Sequence, residues 1–82
     1  MLNNQKELSL YSANNCHLCE LAEELIVTTL VDAHQLFEKV DIASDHQLYH
    51  LYATSIPVLK RHDINQQLPW PFDQQQLIEF LS

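Results

Sequence analysis

The sequence predicts an α/β domain: a four-stranded mixed sheet with helices on both faces, in the order β-α-β-α-β-β-α. Three observations predict it. A short apolar run, Leu8-Ser9-Leu10-Tyr11, is followed by an amphipathic stretch of helical period and then by a strand-like run from Leu36 to Ile42. Strand, crossover helix and strand of this length close into a right-handed βαβ unit. Beyond it, two extended runs meet at Asp63-Ile64-Asn65, and a capped amphipathic segment follows.

The first strand is expected from Lys6 to Tyr11. Helix one is expected from about Cys16 to Ala33, because Leu18, Leu21, Ala22, Leu25, Ile26 and Leu30 recur at helical spacing. Asn15 is its expected N-cap, and Glu20 lies where negative charge suits the helix dipole. Leu36 to Ile42 alternates apolar and polar after its first pair and reads as the second strand. Ser44 is expected to open a short helix, with Gln47 completing a capping box and Leu48, Leu51 and Tyr52 on the buried side. Ile56 precedes a proline and is pushed to extended geometry. Val58 to His62 forms the third strand and Gln66 to Trp70 the fourth, an edge strand because Pro69 and Pro71 cannot donate to a ladder. Asp73 caps the last helix with Gln76 in a capping box. Phe72 and Leu77 are its staple residues, and Leu77, Ile78, Phe80 and Leu81 its apolar face.

The chain has 82 residues, enough for one domain spanning 1–82 with a modest core. Apolar residues make up 46% of it, so it is globular rather than disordered. Four Lys or Arg stand against eleven Asp or Glu, a net charge of −7. That sign repels phosphate backbones and anionic lipid, which argues against nucleic acid and membrane as partners. The first residues lack an apolar signal core and no run is long enough to span a membrane, so the cytoplasm is the expected location. There is no glycine. A turn that needs positive φ must use another residue, and Asn65 is the best placed.

Both cysteines lie in Cys16-His17-Leu18-Cys19, between the first strand and the first helix. Two cysteines in a small cytosolic protein are not a disulfide scaffold; they point to redox or metal chemistry. Unpaired N–H groups at the helix start favour a thiolate, so Cys16 should be more acidic than a free cysteine. Cys19, one turn on, lies on the same face. His17, when protonated, would favour the thiolate, whereas Glu20 would oppose it. A structural zinc site would need two further ligands, which no second Cys pair supplies, so no metal is expected. His34, His46, His50 and His62 are scattered. His46 and His50 are four apart on the short helix, and a solvated face accounts for them.

With these motifs in order, the chain resembles the thioredoxin fold: CxxC at the first helix, then Ser55-Ile56-Pro57-Val58 before a hairpin. Its brevity resembles the glutaredoxins. Cys16 to Cys19, Val40-Asp41-Ile42, Ile56 to Leu59 and Trp70 to Asp73 are similar to a glutaredoxin-like family of small bacterial proteins. The resemblance implies a thiol–disulfide oxidoreductase with Cys16 as nucleophile and Cys19 as resolving thiol. It implies a cis bond before Pro57, with the backbone of Ile56 free to pair with an extended substrate. His17, Leu18, Ile56, Pro57 and Asp73 become the substrate-binding candidates, Asp73 from the position where glutaredoxins hold the glutathione amine. Glutathione is the implied reductant, with no cofactor bound. The implied partner of a monomeric chain is a disulfide-containing protein or a glutathione mixed disulfide. The chain also departs from the glutaredoxin pattern. Ala13, Asn14 and Asn15 are neutral where a basic residue is usual, His17 and Leu18 replace proline and an aromatic, and Pro69 to Phe72 replaces a glycine pair. The alternative is a non-catalytic thioredoxin-fold module that binds a partner protein.

Overall fold

The computed structural model describes residues 7–82. Four strands, β1 (Leu8–Ser12), β2 (Phe37–Asp41), β3 (Val58–Arg61) and β4 (Gln66–Pro69), form one sheet in the order β2-β1-β3-β4. β1 runs parallel to β2 and antiparallel to β3, and β4 is antiparallel to β3 at the edge. The helices are α1 (His17–Thr29), α2 (Ala33–Leu36), α3 (His46–Tyr52) and α4 (Gln74–Leu81). The mixed sheet and the β-α-β-α-β-β-α order are those expected, with α2 added as a single turn.

The central strand explains the layering. All five residues of β1 are buried, because both faces of the sheet are covered. Leu8 and Leu10 face one layer and join Ala22, Ile26, Phe37, Leu59, Phe72 and Leu77, so α1 and α4 pack there. Tyr11 points to the other face and packs with Ile42, Tyr52 and Val58 beneath α3. Ser9 shares that face, and its hydroxyl lies 2.7 Å from His62 Nε2, which supplies a partner for a buried polar atom.

Several boundaries differ from expectation. β1 begins at Leu8, and the Lys6 end of the expected strand lies outside the described residues. The long first helix is broken. It stops at Thr29, Leu30 is extended, and Asp32 takes a left-handed conformation (φ 59°) before α2. The β-branched Val27-Thr28-Thr29 run weakens the helix there. Leu36 ends α2 instead of opening β2, and Ile42 leaves β2 for a 3₁₀ turn, Ile42–Ser44, where it is fully buried. α3 is capped by Asp45, not Ser44: Asp45 Oδ1 accepts from the N–H groups of Gln47 and Leu48. Ser44 instead donates to the carbonyl of Asp41. Leu51 is 67% exposed rather than buried, since only Tyr52 and part of Leu48 reach the sheet. β3 ends at Arg61 and β4 at Pro69, one residue short each.

The last helix follows its sequence signals closely. Asp73 Oδ1 accepts from Gln76 N–H at 2.8 Å, and Gln76 Oε1 accepts from Asp73 N–H at 2.9 Å. Phe72 and Leu77 are buried in one cluster, while Ile78 faces solvent. Arg61 ties the helix end to β3. It donates to the carbonyl of Phe80 at 2.7 Å and forms a two-pronged pair with Asp63. That hydrogen-bonded guanidinium holds the Asp63 carboxyl below the usual carboxylate range. Asn65 has φ 55°, so the hairpin uses the asparagine expected in place of glycine.

Candidate active site

The site sits at one end of the sheet, where β1 runs out through Ser12, Ala13, Asn14 and Asn15 into α1. Asn15 adopts a left-handed conformation (φ 59°) and does not cap the helix. Cys16 does: it has extended geometry, and its Sγ accepts from Cys19 N–H at 3.1 Å. The cap assignment to Asn15 is therefore corrected by one residue. The physical consequence is direct, because the nucleophile candidate itself receives one of the helix's unpaired donors.

Cys16 and Cys19 are joined as a disulfide, with Cα atoms 5.2 Å apart, within the span such bonds require. Cys16 is half-buried and Cys19 buried. His17 and Leu18 project between them into solvent, Leu18 with 48% of its surface exposed. His17 Nδ1 lies 3.7 Å from Glu20 Oε1, both well hydrated, a weak contact. On the β2 side of the disulfide lies a polar cavity of about 180 Å³, bordered by both cysteines, Glu20, Glu23, Lys39 and Asp41. Across it Lys39 Nζ pairs with Glu23 Oε1 at 3.1 Å.

Pro57 emerges at the same end of the sheet, one residue before the Val58–Tyr11 register pair of β3 and β1. The Ile56–Pro57 bond is cis, as is Trp70–Pro71. Ile56 and Ala13 both pack against the cluster of Tyr11, Ile42, Tyr52 and Val58, so the proline loop and the loop before Cys16 share a base. The backbone of Ile56 is only half open, a correction to the expectation. Its N–H donates to the carbonyl of Tyr52 at 3.1 Å, because the chain leaving α3 is still winding; only its carbonyl has no partner among the described residues. Pro57's own carbonyl accepts from Trp70 N–H at 3.1 Å, which brings the β4–α4 connection alongside. Asp73 lies in that connection, with one carboxylate oxygen committed to the cap.

Sequence reasoning passed over three features. Glu23 and Lys39 carry no motif, and only the packing of α1 across β2 pairs them. Leu21, Leu25 and Phe72, read from the sequence as packing residues, line an open groove with Trp70. Tyr11 stacks on Tyr52 at a centroid distance of 4.6 Å, and the Tyr52 hydroxyl accepts from the Gln67 amide. Burial, then the neighbouring Tyr52 and Glu38, push the Tyr11 phenol above its ordinary value. The neutral phenol is thus the form the fold favours. Its contribution is whole below the ordinary tyrosine pKa of about 10 and is lost as pH rises through the folded value. In a tyrosinate absorbance titration, Tyr11 is expected to give a phase above its ordinary value, and Tyr11→Phe to remove that late phase. A late phase that survives the substitution would reject the assignment.

Among the described residues no group of three or more His, Cys, Asp or Glu side chains could hold a metal ion, and His46 and His50 are exposed on α3. No helix among them is long and apolar enough to cross a membrane.

A four-stranded mixed sheet whose first helix opens on a CxxC pair beside an X-Pro loop defines a small protein of the thioredoxin-like class. The chain belongs to the glutaredoxin-like domain family (DUF836), whose model matches residues 7–82. Its fold is similar to that of protein XcR50 from X. campestris. The X-ray structure of that protein is 35% identical with a TM-score of 0.78, covering 90% of this chain and 93% of that one. The solution structure of XcR50 superposes with a TM-score of 0.76 at 33% identity, covering 92% and 91%. Protein Ne2328 from Nitrosomonas europaea, solved by NMR, is 26% identical with a TM-score of 0.69, covering 100% and 96%. Among curated proteins there is no match.

Proposed function

We propose that the protein is a thiol–disulfide oxidoreductase working through both cysteines. The observation that carries this reading is the position of Cys16: it caps α1, and its sulfur accepts a backbone N–H. In the reduced protein that donor and the helix dipole would stabilise a thiolate on Cys16. The thiolate attacks one sulfur of a substrate disulfide; a Cys16–substrate bond forms, the substrate S–S bond breaks, and the other half leaves as a thiolate. The Cys19 thiol then loses its proton to water in the polar cavity beside it, which also borders the Glu23–Lys39 pair. The Cys19 thiolate attacks Cys16 Sγ, re-forms the Cys16–Cys19 disulfide and releases the second substrate thiolate. One dithiol is oxidised for each disulfide reduced. Two equivalents of a thiol such as glutathione restore the pair, with no bound cofactor or metal. A reducing compartment such as the cytoplasm suits that cycle, and the chain acts as a monomer.

The experiment is an equilibration of the protein with reduced and oxidised glutathione at fixed ratios, followed by quantification of the Cys16–Cys19 disulfide. A reversible transition within the range of glutaredoxin and thioredoxin potentials, roughly −200 to −270 mV, is expected. Thiols that neither oxidise nor react with alkylating agents at neutral pH would leave a partner-binding module with inert cysteines.

A further inference from the structure

We propose that the groove between α1 and the β4–α4 connection holds a disulfide-bearing polypeptide segment, apolar beside its cysteine and carrying Lys or Arg further out, in preference to glutathione disulfide. This rests on the thiol–disulfide reading of Cys16 and Cys19.

The groove is apolar and firmly backed. Leu21 and Leu25 of α1 face Trp70 and Phe72 across a space of about 410 Å³. Leu25, Trp70 and Phe72 are anchored in the main core, and the two aromatic rings meet edge to face at 5.1 Å. The Trp70 N–H bond to the Pro57 carbonyl fixes that wall beside the proline loop. Leu18, one turn before Leu21, extends the apolar strip toward Cys16. Leu18 and Leu21 are exposed at the start of a helix whose other apolar residues are largely covered, and Leu18 lies two residues along the chain from Cys16.

Charge selects the occupant. The groove's charged residues are Glu24 and Asp73, and Glu20 stands exposed at the Cys16 end. No Lys or Arg among the described residues lines it. Lys39 is held by Glu23 on the β2 side, and Arg61 by Asp63 and the end of α4. Lys60 is in register with Ser9, which places it on the opposite face of the sheet. His17, the one nearby group among the described residues that can gain positive charge, is drawn toward Glu20. Each half of glutathione disulfide brings two carboxylates and one ammonium to this anionic rim, with no apolar side chain for the groove. A polypeptide segment with a leucine-like side chain and a Lys or Arg satisfies both features.

The test uses the full chain with Cys19→Ser, so that the reaction stops at the mixed disulfide on Cys16. Its rate of formation is measured with three probes. Two are symmetric disulfides of short synthetic peptides, alike in a leucine next to cysteine and differing in flanking Lys or Glu; the third is glutathione disulfide. The Lys peptide is expected to react about tenfold faster than glutathione disulfide, the combined effect of one exposed charge pair and partial burial of one apolar side chain. Its lead over the Glu peptide should shrink in high salt. Leu21→Ser should reduce the Lys-peptide rate. A saturable change in the fluorescence of Trp70, the chain's single tryptophan, should accompany binding of the Lys peptide with serine in place of cysteine. Equal or faster reaction of glutathione disulfide, an advantage untouched by Leu21→Ser, or a Trp70 signal that ignores the peptide would overturn the groove assignment and leave the redox reading standing. No reaction with any probe would overturn both.

Discussion

With Cys16→Ser, reduction of a model disulfide is expected to fall to the uncatalysed background, while Cys19→Ser should react once and stop. The two outcomes differ because the sulfurs are placed differently. Cys16 caps α1 and is half-buried, so it can meet a substrate and its thiolate has a backbone donor in place. A serine hydroxyl there can keep the cap, since oxygen accepts the same N–H, so the fold should survive while the nucleophile is lost. Cys19 is buried beneath and reaches Cys16 more readily than it reaches a substrate. Without it the Cys16–substrate disulfide has no resolving thiol and accumulates, one per chain, visible as a mass increase that a reductant reverses. Turnover retained in Cys16→Ser, or accumulation on Cys19 in that variant, would reverse the assigned roles.

The second large effect is on stability. Leu10→Ala is expected to cost about 2–5 kcal/mol, read as a lower denaturant midpoint with the slope unchanged. Leu10 is fully buried on the central strand, opposite the fully buried Leu59 on β3, in the cluster that joins α1 and α4 to the sheet. Neighbours on a paired strand cannot collapse into the space, so most of the cavity would remain. A small domain has a total of about 5–15 kcal/mol, so the change removes a large share. Ile78→Ala, on the exposed side of α4, is the matched control and should shift stability by no more than about 0.5 kcal/mol. Both variants are compared in one redox state, since the Cys16–Cys19 bond itself alters the unfolded chain. Equal shifts would contradict the layering.

The two effects meet at β1. The strand that carries Leu10 into the core also leads the chain to Cys16 at the sheet's end. A partly destabilised Leu10→Ala chain should still form the mixed disulfide wherever it remains folded, which separates stability from chemistry.

Local chemistry along the chain determined the element order, the capping box at Asp73, the left-handed Asn65 and the pair of thiols at a helix start. Each depends on residues within about one turn of each other, so side-chain type and spacing suffice. The exposure of Leu51 and Ile78 and the pairing of Glu23 with Lys39 were decided by tertiary packing. There, helical period alone marks Leu51 and Ile78 as core candidates, but the sheet has room for only one stripe of α3 and α4. The groove arises the same way: Leu21 and Trp70 are far apart in sequence, and the packing of Leu25, Trp70 and Phe72 on the main core brings them to the same groove. Contacts between distant segments depend on how whole faces fit together, and no short stretch of sequence encodes that fit.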